Sequence, residues 1–263
     1  MNSADITPAI LTYNEEPNLR RCLEGVAWAQ RIVVVDSGST DATLAICREF
    51  PKVEVFHRAF DNHTNQWNYA MDQTKSDWVL SLDADYVATE VFAEEVLSLV
   101  PGPELAACLV PFRYCVLGKP LRGSLYPPRA ALFRRDRCRY LADGHTQLLD
   151  FPGQPLLLQS RLDHDDRKPL SRWLDSQRKY AVLEAEKMSN YPAAPKGMPD
   201  RLRRMIWPAA PAAFLYTLLV KGLFLDGWPG MFYVLQRTYA ELLLSLELLG
   251  RKLQNAGNSM PSK

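Results

Sequence analysis

Short apolar runs alternate with amphipathic segments over the first 85 residues. Ile6–Thr12 is apolar and predicts a first strand, with Pro8 expected near its start or at a sheet edge. Pro17 then opens a helix, the position where its missing N–H costs nothing, with Leu19, Leu23 and residues 26–28 as its apolar face. Arg31–Asp36 is a continuous β-branched run, as expected of a strand covered on both faces. The small polar turn Ser37–Asp41 follows, and its hydroxyls are expected to cap a helix over Ala42–Phe50. Val53–Phe56 predicts a third strand, Asn65–Thr74 a helix and Asp77–Leu82 a fourth strand. Strands and helices in strict alternation predict an α/β fold with a mostly parallel sheet.

The pattern then loosens. Thr89–Val100 predicts a helix, and Ala106–Val116 and Leu121–Phe133 predict strands around a Gly118-Lys119-Pro120 turn. Within the second of these, Arg122–Arg129 is polar and broken by proline, which suits an acceptor-side loop. Leu170–Met188 predicts a helix, and the proline-containing stretch 190–199 a linker. Beyond it the character changes. Basic residues at 201–204 precede an almost wholly apolar run, Met205–Leu225, interrupted by Pro208, Pro211 and Lys221. A further helix, Tyr233–Leu253, is leucine-rich on one side. Residues 201–253 are therefore expected to lie as helices in a bilayer surface, basic end at the headgroups. A buried helical pair and a true span, which needs about 20 apolar residues, are the alternatives. The expected division is a domain over 1–190, followed by a linker and apolar helices over 191–263.

Composition narrows the classes. With 263 residues and an apolar fraction of 47%, the chain can bury a substantial core. A net charge of +1 argues for no nucleic-acid partner. Five scattered cysteines without C-x-x-C spacing read as reduced packing residues of a cytoplasmic protein. Met1–Asp5 lacks the basic-then-apolar layout of a signal peptide.

The chemistry concentrates where apolar runs end. Trp78–Leu82 stops at Asp83-Ala84-Asp85, and side chains two apart on an extended chain point to one side. The first strand ends in Asn14-Glu15 and the second in Asp36. In an open α/β sheet, ligands bind beyond the C-terminal ends of strands. Neither G-x-G-x-x-G nor G-x-x-x-x-G-K-[ST] is present. A site built of acids cannot take phosphates directly, so it needs a hard divalent cation, Mg²⁺ or Mn²⁺, between itself and the anion.

Thr12-Tyr13-Asn14-Glu15, Val35–Asp41 and Leu82-Asp83-Ala84-Asp85 together resemble, in order and spacing, the three signatures of family 2 glycosyltransferases. The N-terminal half resembles the bacterial lipopolysaccharide-core branch in particular. The resemblance implies a GT-A fold and inverting transfer from a nucleotide diphosphate sugar, a UDP-sugar, to a lipid-linked or lipopolysaccharide-type glycan. It places the enzyme at the cytoplasmic face of the inner membrane, with peripheral membrane contact.

Carried over by position, the resemblance implies that Glu15 and Asp36 hold the base and ribose. Asp83 lies near the ribose and diphosphate, Asp85 ligates the metal, and Gln66 and Asn68 line the donor site. Gln66 and Asn68 match a Gln-Arg-Asn motif of the family with Trp67 standing at its Arg, Tyr86 stands where the branch has Glu after its second Asp, and Thr146 where it has a candidate base. Asp143 is taken instead as the base that deprotonates the acceptor hydroxyl, with His145 in support. His164, beside Asp165 in a dense run of ionisable groups, is expected to reach the metal or the acceptor. Two other readings stay open: transfer to a polyprenyl phosphate, which needs no base, and a non-catalytic sugar-nucleotide-binding protein.

Overall fold

The computed structural model of the chain describes residues 1–143, 146–190 and 197–258. Two compact units divide it, Met1–Pro120 with Tyr126–Lys168, and Leu121–Leu125 with Pro169–Lys263.

The first unit runs β1 (Ile6–Thr12), α1 (Leu19–Gly25), β2 (Ile32–Asp36), α2 (Thr43–Arg48), β3 (Val53–His57), α3 (His63–Gln73), β4 (Trp78–Asp83), β5 (Tyr86–Ala88) and α4 (Glu90–Ser98). It continues through β6 (Ala107–Val110), β7 (Phe112–Val116), β8 (Lys119–Pro120), β9 (Arg129–Arg134), β10 (Arg139–Asp143), β11 (Thr146–Asp150), β12 (Leu156–Leu157) and β13 (Leu162–His164). The main sheet has the order β12-β6-β9-β4-β1-β2-β3, and a smaller sheet the order β5-β13-β7-β8. β1 is parallel to β2 and β4, while β9 enters antiparallel between β4 and β6. This is the mixed α/β architecture, with a large, mostly parallel sheet and flanking helices, that the alternating pattern predicts.

The sheet separates two cores, and the period-2 pattern of its strands explains how. Ile32 and Val34 of β2, with Trp78, Leu80 and Leu82 of β4, pack on the side of α1, α2 and α4. Val33, Val35 and Val79 face the other way, onto Trp67, Ala70 and Met71 of α3 and onto Tyr140 and Leu149 of the β10–β11 hairpin. A strand clothed on both faces has no polar face, so the central strands read as unbroken apolar runs.

β1 is a central strand, and Pro8 sits near its start, as expected, opposite Leu80. It is tolerated because pairing with β2 begins only at Ala9, so one side alone runs past the missing N–H. The strand predicted over Leu121–Phe133 shrinks to Arg129–Arg134, since Pro127 and Pro128 cannot supply ladder donors. The turn hydroxyls do not cap α2; Asp41 accepts the Thr43 N–H at 3.0 Å in their place.

In the second unit, α5 (Leu170–Asn190) precedes α6 (Met198–Met205), α7 (Ala209–Leu215) and α8 (Gly227–Asn258). Ala181 and Ala185 of α5 bury against Leu244 of α8, so the helix expected to close the first domain packs with the tail. Arg203 forms a two-point ion pair with Glu241 at 2.5 and 3.0 Å. The loop 121–125 is held here too: Arg122 meets Asp226 at 2.7 Å, and the Leu125 N–H donates to the Tyr233 hydroxyl at 2.9 Å. The apolar stretch 205–225 is broken into short pieces at Pro208 and at Gly222, whose φ of 68° only glycine adopts readily. Among the described residues, no single helix is long and apolar enough to cross a membrane; one pair, bent by 68°, meets that length and composition.

Leu80 is fully buried at the centre of β4, whereas Val91 on α4 is 65% exposed. Leu80→Ala is expected to cost about 3 kcal/mol, read as a lower urea midpoint at unchanged slope. Val91→Ala is expected to shift stability by less than about 0.5 kcal/mol.

Candidate active site

Parallel register sets the acidic strand ends level. Thr12 of β1 pairs with Asp36 of β2, and Leu11 with Asp83 of β4. Asp36 is wholly buried and its oxygens are fully engaged. Oδ2 accepts the N–H groups of Gly38 and Ser39 at 2.9 Å each, while Oδ1 accepts the hydroxyls of Thr12 at 3.0 Å and of Ser39. It therefore shapes the turn after β2. Asn14, in the left-handed region at φ 54°, fastens the same turn by accepting the Thr40 N–H at 2.7 Å.

Asp85 is met by a segment far away in sequence. β13 pairs antiparallel with β5, setting His164 opposite Tyr86, and the Asp165 N–H donates to the Asp85 carbonyl at 3.0 Å. His164 Nε2 consequently stands 3.4 Å from Asp85 Oδ2. Asp85 Oδ1 and His164 Nδ1 are buried with no hydrogen-bond partner. Rings of Tyr86, Tyr114 and Tyr126 surround the imidazole at 5.2, 4.8 and 4.9 Å, and the Tyr86 and Tyr126 hydroxyls share a short hydrogen bond. Two predicted metal residues are thus brought together. Among the described residues, no three His, Cys, Asp or Glu side chains gather around one point.

Lys168 closes the other side. Its Nζ lies 2.8 and 3.0 Å from the two Glu15 oxygens and 3.4 Å from Asp166. Asn18 adds a donor to Glu15 at 2.9 Å and another to Asp166. Burial raises the Glu15 carboxyl, against the pull of Lys168, and the neighbouring Asp85 charge raises it further. At Asp85 burial also raises the carboxyl, but His164 and Lys168 outweigh it and hold the group below the usual carboxylate range. Burial would lower His164; Asp85 reverses that and raises it. Lys168 is likewise raised despite burial, because Asp85, Glu15 and Asp166 all face it.

Asp83 makes no hydrogen bond or ion pair with another described side chain. β4 pairs with β9 from Trp78–Arg134 to Leu80–Leu132, and at the start of β9 burial lowers the Arg129 guanidinium, but Tyr126, Tyr86 and the Asp83 charge outweigh it and raise it. The Arg129 guanidinium lies 4.7 Å over the Tyr126 ring and has no carboxylate partner among the described residues.

The remaining predicted residues are placed differently. Gln66 is buried; its amide donates to the Ser37 hydroxyl at 3.0 Å and to the Arg58 carbonyl at 3.2 Å, again bracing the turn after β2. Asn68 spends both amide functions on the backbone of Tyr140, at 2.9 and 3.0 Å, and so clamps β10 to α3. Asp143 ends β10, but its side chain lies outside the described residues, as does His145. Lys168 and Arg129 were missed. Lys168 was legible only as one charge in a dense run, and Arg129 gained meaning only from an antiparallel register.

Residues 9–147 match the family model described as Glycosyl transferase family 2. The chain is 31% identical over 80 residues to the lipopolysaccharide core biosynthesis glycosyltransferase LpsC of Rhizobium meliloti, covering 29% of this chain and 30% of that protein. It is 35% identical over 86 residues to the glycosyltransferase SunS of Bacillus subtilis, 30% of this chain and 20% of that protein. Both matches span less than a third of the relative's own length. An uncharacterized glycosyltransferase of Rickettsia prowazekii is 22% identical over 95% of this chain and 89% of its own. Among solved structures, S. aureus TarS residues 1–349 with UDP-GlcNAc is similar at a TM-score of 0.48 and 14% identity, over 92% of this chain and 90% of that one.

Lys168 and Glu15 are a largely buried pair, each side chain under one fifth exposed. Lys168→Met is expected to cost about 3 kcal/mol by leaving Glu15 without its cation. The double variant Glu15→Gln/Lys168→Met is expected to recover more than half of that in urea unfolding, a direct reading of their coupling.

Proposed function

The chain belongs to glycosyl transferase family 2, and from that premise we propose that it moves a sugar from a UDP-sugar to a glycan acceptor with inversion. The observation that carries this reading is the level row of acidic strand ends closed by Asp85, whose Oδ1 is buried with nothing bonded to it. An orphaned carboxylate oxygen in an anionic, water-poor site is the donor chemistry a hard divalent cation takes. Asp85, with His164 beside it, would hold Mg²⁺ or Mn²⁺. Such an ion supplies charge compensation to a diphosphate.

Glu15 and Lys168 then border the nucleoside, Asp36 and Gln66 hold the turn beneath it, and Asp83 faces the ribose and diphosphate. Arg129, stacked on Tyr126 and ion-paired with no carboxylate among the described residues, though the Asp83 charge acts on it, offers a planar two-donor fork to a phosphate oxygen of the leaving group. Asp143 takes the acceptor hydroxyl's proton as that oxygen attacks the anomeric carbon, and the bond from that carbon to the diphosphate breaks. His145 orients the acid.

The acceptor is a lipid-linked or lipopolysaccharide-type glycan, reached at the cytoplasmic face of the inner membrane. Support comes from the second unit. Trp207, Leu219, Val220, Phe224 and Leu225 are all more than half exposed, and Arg201, Arg204 and Lys221 lie in the same stretch. Apolar side chains interspersed with cations suit the boundary between headgroups and acyl chains.

Calorimetric titration with UDP and with GDP, each with Mn²⁺ and with EDTA, tests the donor site. Metal-dependent binding of UDP and not GDP is expected; no binding of either would sink the reading. Asp85→Ala is expected to abolish release of UDP from UDP-sugars while thermal unfolding stays cooperative. A variant that turns over normally would remove Asp85 from the site.

A further inference from the structure

The outer face of α8 reverses the usual pattern of a surface helix. From Trp228 to Arg251, every residue of α8 that is exposed is apolar. Trp228, Leu235, Leu242 and Leu249 recur at intervals of seven, and Phe232, Tyr239 and Leu246 recur at seven between them. The alternating spacing of four and three residues is the a/d seam of a coiled coil, period 3.5. The opposite side of the helix is occupied within the unit: Tyr233, Val234, Glu241 and Leu244 are buried there. The helix therefore has two apolar faces, one used and one largely open, although Tyr239 of this second face also packs on Trp173 of α5, ring centroids 5.9 Å apart.

We propose that the open face of α8 is a dimer interface, covered by the same face of a second copy of this chain. Three features select that occupant. The stripe is narrow, two positions per heptad, whereas a helix lying in a bilayer presents a broad apolar arc edged with Lys and Arg. The positions flanking the seam, Pro229, Met231, Gln236, Thr238, Leu243, Ser245 and Gly250, carry no charge, so two copies meet without like charges opposed. The seven seam side chains are each 40–87% exposed, and together they offer roughly the 800 Å² per partner of a specific interface. A stripe that repeats every seven residues is complementary to itself, which is what a two-fold interface requires.

Sedimentation velocity of the full chain in detergent-free buffer, from one to fifty micromolar, tests this. Twice the chain mass is expected, with Leu242→Glu/Leu246→Glu sedimenting as a monomer. Leu242→Ala/Leu246→Ala, which leaves no charge on the helix, is expected to weaken association at least tenfold and decides the matter if the glutamate variant does not fold. Circular dichroism should show unchanged helix content in both. A wild-type monomer across the range, or a dimer that persists in both variants, overturns the proposal. So does a wild-type monomer that floats with phosphatidylglycerol vesicles in a seam-dependent manner, because lipid is then the occupant.

Discussion

Crowding of like charge at one end of a parallel sheet is the constraint on which the first unit depends. At an effective dielectric constant of about 20, two unit charges 4 Å apart interact by about 4 kcal/mol, a large part of a domain's whole stability. Glu15, Asp36, Asp83 and Asp85 all leave strand ends toward one region, so each must be compensated separately. Asp36 is compensated by backbone N–H groups and hydroxyls, Glu15 by Lys168, and Asp85 in part by His164 and Lys168. What is left over, at Asp83 and at Asp85 Oδ1, is the residual demand for positive charge that a ligand can meet.

The compensating cations come from a single strand and the residues just after it. β13 adds to both β5 and β7, and this double pairing carries 162–168 to the acidic end. Asp165 anchors the segment: it accepts from Arg21 at 2.6 Å, from Arg167 at 2.9 Å and from the Gly118 N–H at 2.9 Å. Three donors on one buried carboxylate hold the following residues in place, so Lys168 reaches Glu15 from a fixed backbone rather than a free loop. Positioning of the site is thus bought by hydrogen bonds that do no chemistry themselves.

Legibility in the sequence followed the range of the interactions. β1, β2 and β4 were readable because burial on both faces leaves an unbroken apolar run, and their acidic ends because nothing else in the run is polar. The pairing of Glu15 with Lys168 was not readable, since it links residues 153 apart through a strand of three residues with no periodicity to detect. Arg129 sat in a stretch whose prolines suggested only a loop, and its place beside β4 depends on an antiparallel insertion that breaks the parallel order. In α8 the leucine periodicity is visible, but two apolar faces overlap in one helix, and α5 covers parts of both: it buries Leu244 of one and meets Tyr239 of the other.

The departures from the family pattern in α3 have a structural logic. Trp67 is buried, and its ring stacks on Tyr140 at 5.6 Å. The Tyr140 hydroxyl donates to Ser81 of β4 at 3.0 Å, and Asn68 holds the Tyr140 backbone on both sides. A guanidinium at position 67 would have to be desolvated against these rings with no carboxylate bonded nearby, a cost of several kcal/mol. An indole there gains apolar burial instead. The residue therefore ties α3 to β10, the strand that ends at Asp143, and fixes the backbone that carries the proposed base. Where the family motif has an arginine, the tryptophan serves the scaffold.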